Sequence, residues 1–430
     1  MLIDWIHWLS FQTWNELSWL VVGFFLVDGP RYVLSTTAIT LWDWLNDAYL
    51  GITRKREPEF THCPSVCVLI VGLNEGRRLR QTLDSVGGTY PRLEIVVCDD
   101  GSTDDMSTVA RSFMHEHSDL PMQVITRPWR GGKSSALNLA LGESRSEIVV
   151  ALDGDSHVEA DTIWEIVQPF ADPNVGITSG MIRARNWSRN LCTWLQAFEY
   201  LRSILIGRRV SSQLGILSLS SGALSAYRRT VLDRLGGWDI GPGEDLDIAL
   251  RTRKLGYTIA FSQFASCRTE VPSQWKALIK QRFRWDGDNS VRHYIRKHNG
   301  LTNFTWKNFR FSNFLAFWDA VIIHLFCSLG AFLAIVLWPF HHSGVPWVYA
   351  TLTIYVVAVL SEIPALFAIL YYSRLRRVDL MLGLAVPVMP FYRLFLIALR
   401  VCANLSEIFW RSSYHMGHVP THVREATWRW

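Results

Sequence analysis

The chain has 430 residues, 49% of them hydrophobic, with 20 Trp and a formal net charge of only +5. That length allows a sizeable core plus extra elements, and the scattered positive charge, with no long basic stretch, implies no nucleic-acid partner. Seven Cys, an odd number, are scattered without a CxxC pair, so neither a disulfide framework nor a zinc site is expected and the thiols are read as reduced.

The first notable segment is an apolar stretch from about Leu17 to Leu41, interrupted by Asp28-Gly29-Pro30-Arg31. It lacks a basic start and a small-residue cleavage site, so it reads as a membrane anchor rather than a removable signal. Arg54-Lys55-Arg56 follows it. The pattern then changes to short β-rich runs alternating with helices. Val66–Val71 predicts a strand, Leu73-Asn74-Glu75-Gly76 a turn, and Arg77–Val86 a helix. Leu93–Cys98 predicts a second strand, Met106–Glu116 a helix, Val124–Thr126 a third strand, Lys133–Leu141 a helix and Glu147–Leu152 a fourth strand. This alternation predicts an α/β domain with a mainly parallel sheet.

Ligands of such sheets bind at the carboxyl ends of the strands. Asp99-Asp100 and Asp153-Gly154-Asp155 each follow a strand directly, so both are expected along one edge of one cleft. Paired carboxylates around a Gly suit a hard divalent cation held together with diphosphate oxygens. In isolation, an Asp-x-Asp is more often a surface turn; its placement makes the difference. Asp99–Asp104 reads as a nucleotide-base and ribose pocket, or as a helix cap at Ser102 or Thr103. Arg130–Ser135 looks like part of a phosphate loop, but Arg127 stands where the Walker pattern needs its first Gly, which excludes an ATPase. Lys133, at a helix start, remains suited to support a nucleotide.

Further on, Gly243-Glu244-Asp245-Leu246-Asp247 opens a predicted helix that runs through Lys254 to Gly256. Its acids serve either as N-terminal capping charges or as a general base with supporting groups, Asp245 being the base and Glu244 and Asp247 its supports. Gln281-Arg282-Phe283-Arg284-Trp285 follows a predicted amphipathic helix, Gln274–Lys280. Arg284 suits bidentate binding of a diphosphate and Trp285 offers a flat face to an acceptor ring. The same residues equally suit an interfacial helix seated among lipid headgroups. Three more apolar stretches, about Phe314–Phe340, Val345–Tyr372 and Val378–Leu405, approach the roughly 20 residues of a membrane span. The last carries Pro387, Pro390, Arg393 and Arg400, which favours a broken or interfacial segment. Asp28, Arg31, Asp319, Glu362 and Arg393 are expected to face a bundle interior or a polar path. Arg374, Arg376 and Arg377, against the Lys/Arg-free stretch Pro339–Pro346, predict that residues 42–312 and the 374–377 loop are cytoplasmic. The tail His415–Trp430 has no assignable role.

In their order, Leu73-Asn74-Glu75, Asp99–Asp104, Gly132-Lys133, Asp153-Gly154-Asp155, Ser221-Gly222-Ala223, Glu244-Asp245 and Gln281–Trp285 resemble glycosyltransferase family 2. The resemblance is to its processive membrane branch of cellulose, chitin, hyaluronan and poly-N-acetylglucosamine synthases, and it spans about Val66 to Trp285. It implies a GT-A fold and an inverting, metal-dependent transfer from a UDP-sugar to a growing glycan, with Mg2+ or Mn2+ as cofactor. It implies Asp100 at the uracil, Asp153 and Asp155 at the UDP and metal, and Asp245 as base. Lys133, Gln281 and Arg284 fall on the donor side; Trp285, Ser221, Gly222 and Glu244 fall on the acceptor side. It also implies a protein seated in the cell membrane that secretes its polymer. The expected layout is a membrane region over 1–50, a catalytic domain over 51–271, interfacial helices over 272–312, spans over 313–410 and a tail over 411–430. Two departures stand out. Gly243 precedes Glu244 where many members have Thr, and the few spans leave room for a second copy or an accessory secretion subunit. No second-messenger domain follows the spans, unlike in bacterial cellulose synthases.

Overall fold

Val66 to Gly72 are apolar almost without interruption, and they form the buried central strand β1. Such continuous runs belong to strands covered on both faces. Val66, Val68 and Ile70 pack into one core with Leu79, Leu83 and Phe113, while Cys67, Leu69 and Val71 pack into another with Leu137, Tyr227 and Trp238. Alternate side chains of one strand thus serve two helical layers. The structure, a computed structural model, describes residues 2–13, 16–17, 29–49, 60–239, 241, 243–298, 310–333, 347–412 and 420–427.

Seven further strands complete the sheet: β2 (Leu93–Asp99), β3 (Met122–Thr126), β4 (Ile148–Asp153), β5 (His157–Val158), β6 (Val175–Ala184), β7 (Leu224–Arg228) and β8 (Thr258–Thr269). Their order is β3-β2-β1-β4-β7-β6-β8-β5. The half containing the predicted strands, β3-β2-β1-β4, is parallel as expected. Beyond β4 the sheet is mixed: β7 runs antiparallel to both β4 and β6, and β6 pairs parallel with β8. β5 through β8 were not legible in the sequence, because β5 is only two residues long and Thr, Ser and Gly interrupt the apolar patterns of the others.

All seven Cys are free thiols. Two helices, Phe311–Leu333 and Val348–Tyr372, are long and apolar enough to cross a membrane by length and composition. The expected span at 17–41 lies largely outside the described residues; from Gly29 the chain is π-helical to Ser35 and then α-helical over Thr36–Tyr49. That helix is tied to distant parts of the chain. Asp43 accepts hydrogen bonds from Arg209 Nη2 (2.6 Å) and Tyr372 Oη (2.7 Å), and Asp47 accepts one from Tyr371 Oη (2.6 Å).

The expected fourth span, Val378–Leu405, is not one helix. Arg376–Gly383 and Met389–Trp410 are separate, and Pro390 sits in the first turn of the second, where its missing N–H costs nothing. The second helix lies against Trp275–Gly287 and carries three ion pairs: Arg393–Glu362, Arg400–Asp286 and Glu407–Arg296. Polar anchors of this kind fit a helix bound along a protein surface better than one surrounded by lipid. Glu362, within the second candidate span, is fully buried between Arg202 and Arg393.

Candidate active site

Register fixes the site. Gly72 and Val71, at the end of β1, pair with Asp99 on one side and Asp153 on the other. The two acidic turns therefore leave the sheet at one level, at its carboxyl edge, where βαβ topology opens a crevice.

Asp100 is buried and committed to one loop. It accepts hydrogen bonds from the Gly131 N–H (2.9 Å) and the Gly132 N–H (2.7 Å), and its carboxylate lies 3.1 Å from Arg127 Nη1. Its neighbour Asp99 accepts from the Ser102 N–H. Gly101 has φ +83°, and a Cβ there would lie 2.7 Å from the Trp129 carbonyl carbon. Only glycine lets the acidic turn approach the 127–132 loop this closely.

That loop delivers Lys133 to the centre of the cleft. Its Nζ lies 2.5 Å from Asp153 Oδ1, 2.9 Å from the Gly222 carbonyl and 3.5 Å from Glu244 Oε1. One ammonium thus joins three segments that are far apart in sequence. Burial works against its charge, yet Asp153, Glu244 and Asp245 more than offset this, and Lys133 stays above the ordinary lysine range. Negative charge still exceeds positive charge around it. Burial and then Asp153 raise the Asp155 carboxyl, with Arg78 3.9 Å away as partial relief. Burial and then Asp155 push Glu75 up to about 7. Burial and then Glu244 push Asp245 up to about 6.

Asp245 opens the helix Glu244–Lys254, whose preceding Gly243 is left-handed (φ +76°). The helix ends close to where it was predicted to end. Gly222 lies against it; a Cβ on Gly222 would sit 3.4 Å from Asp245 Oδ2. Ser221, in contrast, is buried behind the surface, donating its N–H to Ser225 Oγ, and does not line the cleft.

Gln281–Trp285 does not follow a helix but lies inside one, Trp275–Gly287; nothing between Lys280 and Asp286 breaks the helical pattern. Gln281, Arg284 and Trp285 line the same cleft of about 890 Å³ as Asp100, Lys133, Asp153, Asp155, Gly222, Glu244 and Asp245. The cleft runs on to Asp319 of the candidate span Phe311–Leu333 and to Arg400 and Asn404 of Met389–Trp410, so Asp319 faces a polar path as expected. From the tail, Pro420 and Val423 also line the cleft and lie beside Gly132.

Behind the acidic helix, Asp247, His293 and His298 bring their ligand atoms within 4.8 Å of one another. Lys297 Nζ (2.7 Å) and Arg251 Nε (2.8 Å) already engage the two Asp247 oxygens, and His298 Nε2 lies 2.9 Å from one of them. The group is an ion-paired brace between the helices Glu244–Lys254 and Asp288–Lys297. Sequence reasoning missed Glu199 and Arg208 in the cleft wall, and Arg78 beside Asp155, since none stands in a motif.

A mixed sheet with an acidic crevice at its carboxyl edge and an indole in the same cleft is the arrangement of a glycosyltransferase of GT-A fold. The sequence model described as glycosyltransferase-like family 2 matches residues 64–287, just over half of the chain, and the chain belongs to that family. A probable glycosyltransferase of Bacillus subtilis, YdaM, is 29% identical over 297 residues, which cover 64% of this chain and 70% of the relative. The hyaluronan synthase of Streptococcus pyogenes is also 29% identical, with the same coverage of both chains. The poly-beta-1,6-N-acetyl-D-glucosamine synthase of Staphylococcus epidermidis is 28% identical over 53% of this chain, and the match spans only 55% of its length. Among solved structures, the mannosyltransferase PcManGT of Pyrobaculum calidifontis, in complex with GDP-Man and Mn2+, aligns with a TM-score of 0.61 at 22% identity. That alignment covers 91% of this chain and 99% of the other, and it speaks for the fold.

Proposed function

We propose that the chain is a membrane-seated, processive, inverting β-glycosyltransferase that polymerises a UDP-sugar into a polysaccharide and passes it across the membrane. The observation that carries this reading is the convergence of Lys133, Asp153, Asp155, Glu244, Asp245, Gln281, Arg284 and Trp285 on one cleft. The polysaccharide synthases among its relatives support it. In this reading Lys133 and Arg284 hold the donor diphosphate, and Trp285 stacks the acceptor ring. Asp245 takes the proton from the acceptor hydroxyl. The hydroxyl oxygen bonds to the anomeric carbon, the bond from that carbon to the phosphate oxygen breaks, and UDP leaves with the electron pair.

The residues fit a divalent cation. Asp153 and Asp155 supply hard oxygen ligands in one cleft, and burial first and the neighbouring carboxylates second make the charged forms of Asp155 and Glu75 costly, a cost that a cation there relieves. Asp153 and Asp155 would hold Mg2+ or Mn2+, which when bound neutralises charge developing on the leaving diphosphate. The catalytic unit lies in the cytoplasm in this reading, where UDP-sugars are made.

The test is UDP release from a panel of UDP-sugars with Mg2+ or Mn2+. Asp155→Ala and Asp245→Asn each lower it by about 100-fold or more while the protein still inserts in membranes. Near-normal turnover in either variant overturns the assignment. A second reading, transfer of one sugar to a membrane lipid, is favoured by the presence of only two span-length helices among the described residues. Product length on a gel separates the two.

A further inference from the structure

The indole of Trp285 has a cation against its face. Arg282, three residues earlier on the same helix, places its guanidinium carbon 4.8 Å from the centre of the Trp285 ring. Residues three apart share a helix face, and a guanidinium plane stacks well on an indole. Trp285 lines the cleft and remains 38% exposed. Arg282 itself is buried, and it is gripped from across the domain. Glu199, on the helix Leu191–Tyr200, accepts from Nη1 (2.9 Å) and Nη2 (2.5 Å) in a two-pronged pair. Among the described residues, Glu199 is the only hydrogen-bond acceptor for this guanidinium, and its Nε has none. A fork matched to both carboxylate oxygens fixes the plane of the guanidinium as well as its position. That plane in turn backs the indole.

We propose that Glu199 is a positioning residue that acts through Arg282 to hold Trp285 as a preset platform for the acceptor sugar. The proposal rests on reading the cleft as a glycosyl-transfer site and adds a component outside any of the motifs that suggested it. Both Glu199 carboxylate oxygens are taken up by Arg282, so its role is to decide whether the indole waits in the stacking orientation when the acceptor end arrives. A loosened platform lets water compete for the activated donor without weakening UDP binding.

The experiment uses the full-length protein in membranes with labelled UDP-glucose and UDP-N-acetylglucosamine, measuring the ratio of transferred to hydrolysed sugar, product length and UDP affinity. Glu199→Gln and Arg282→Lys are expected to lower the ratio at least tenfold and shorten the product, with UDP affinity changed less than twofold. The reversed pair, Glu199→Arg with Arg282→Glu, separates positioning from stapling. It restores an ion pair, and so the melting temperature, but places a carboxylate against the indole, and the transfer ratio stays low. Recovery of the ratio in the reversed pair, or a wild-type ratio in both single variants, overturns the proposal. A wild-type chain that binds UDP yet releases none from any member of the UDP-sugar panel overturns the functional reading beneath it, an outcome distinct from the other two.

Discussion

A carboxylate serves as a base when its pKa lies near, but below, the working pH. Asp245 meets that condition because burial and the adjacent Glu244 push it up to about 6. Turnover should therefore fall as pH drops through about 6, where Asp245 gains a proton and cannot accept another. Glu244 raises this pKa by like charge, so Glu244→Gln should lower it and move the acid limb to lower pH. A pH–rate profile of UDP release checks this, and a limb that stays in place or moves upward counts against Asp245 as the base. The positions of Asp153, Asp155 and Asp245 were legible because each follows a recognisable strand end or helix start. The partners of Asp100 were not. Its carboxylate meets Gly131 and Gly132 only because Gly101 lets two loops touch, and no spacing rule reports that contact.

Elements carry these residues only as well as they are braced. The helix that presents Asp245 is held from behind by Asp247, whose carboxylate engages Arg251, Lys297 and His298. Replacing one partner of a buried ion pair leaves uncompensated charge, at a cost of about 3–5 kcal/mol. Asp247→Asn should accordingly lower the melting temperature in detergent by on the order of 10 °C. An unchanged melting curve would remove the brace from the account. This cluster was half legible: Asp247 stood out in the sequence as an acid near the base, but Lys297 and His298 lie about 50 residues further on. The parallel strands were readable because continuous Val, Ile and Leu runs have few other fates. The helix containing Gln281–Trp285 was readable in kind but cut short, since its polar face hides the continuation past Lys280.

For the molecule as a whole, the loop between the candidate span Val348–Tyr372 and the helix Arg376–Gly383 is pinned to the catalytic unit. Arg374 pairs with Asp161 and with Glu165 (2.6 Å). Loop and sheet therefore share one side of any membrane, in keeping with the cytoplasmic placement proposed from the arginines. With Arg376→Cys, an impermeant maleimide should label the protein only after cells are opened, with labelling of the parent chain subtracted. Labelling of intact cells would invert the topology. The contacts of Thr36–Tyr49 extend the same logic to time. Asp43 and Asp47 leave the ribosome long before Tyr372 and Tyr371, 329 and 324 residues later. At ordinary elongation rates that interval is on the order of tens of seconds. During it, the two carboxylates of the helix Thr36–Tyr49 stand without their final tyrosine partners. Completion of the N-terminal seat is thus among the last events of biogenesis, and a chain stopped short of Tyr371 leaves that seat open.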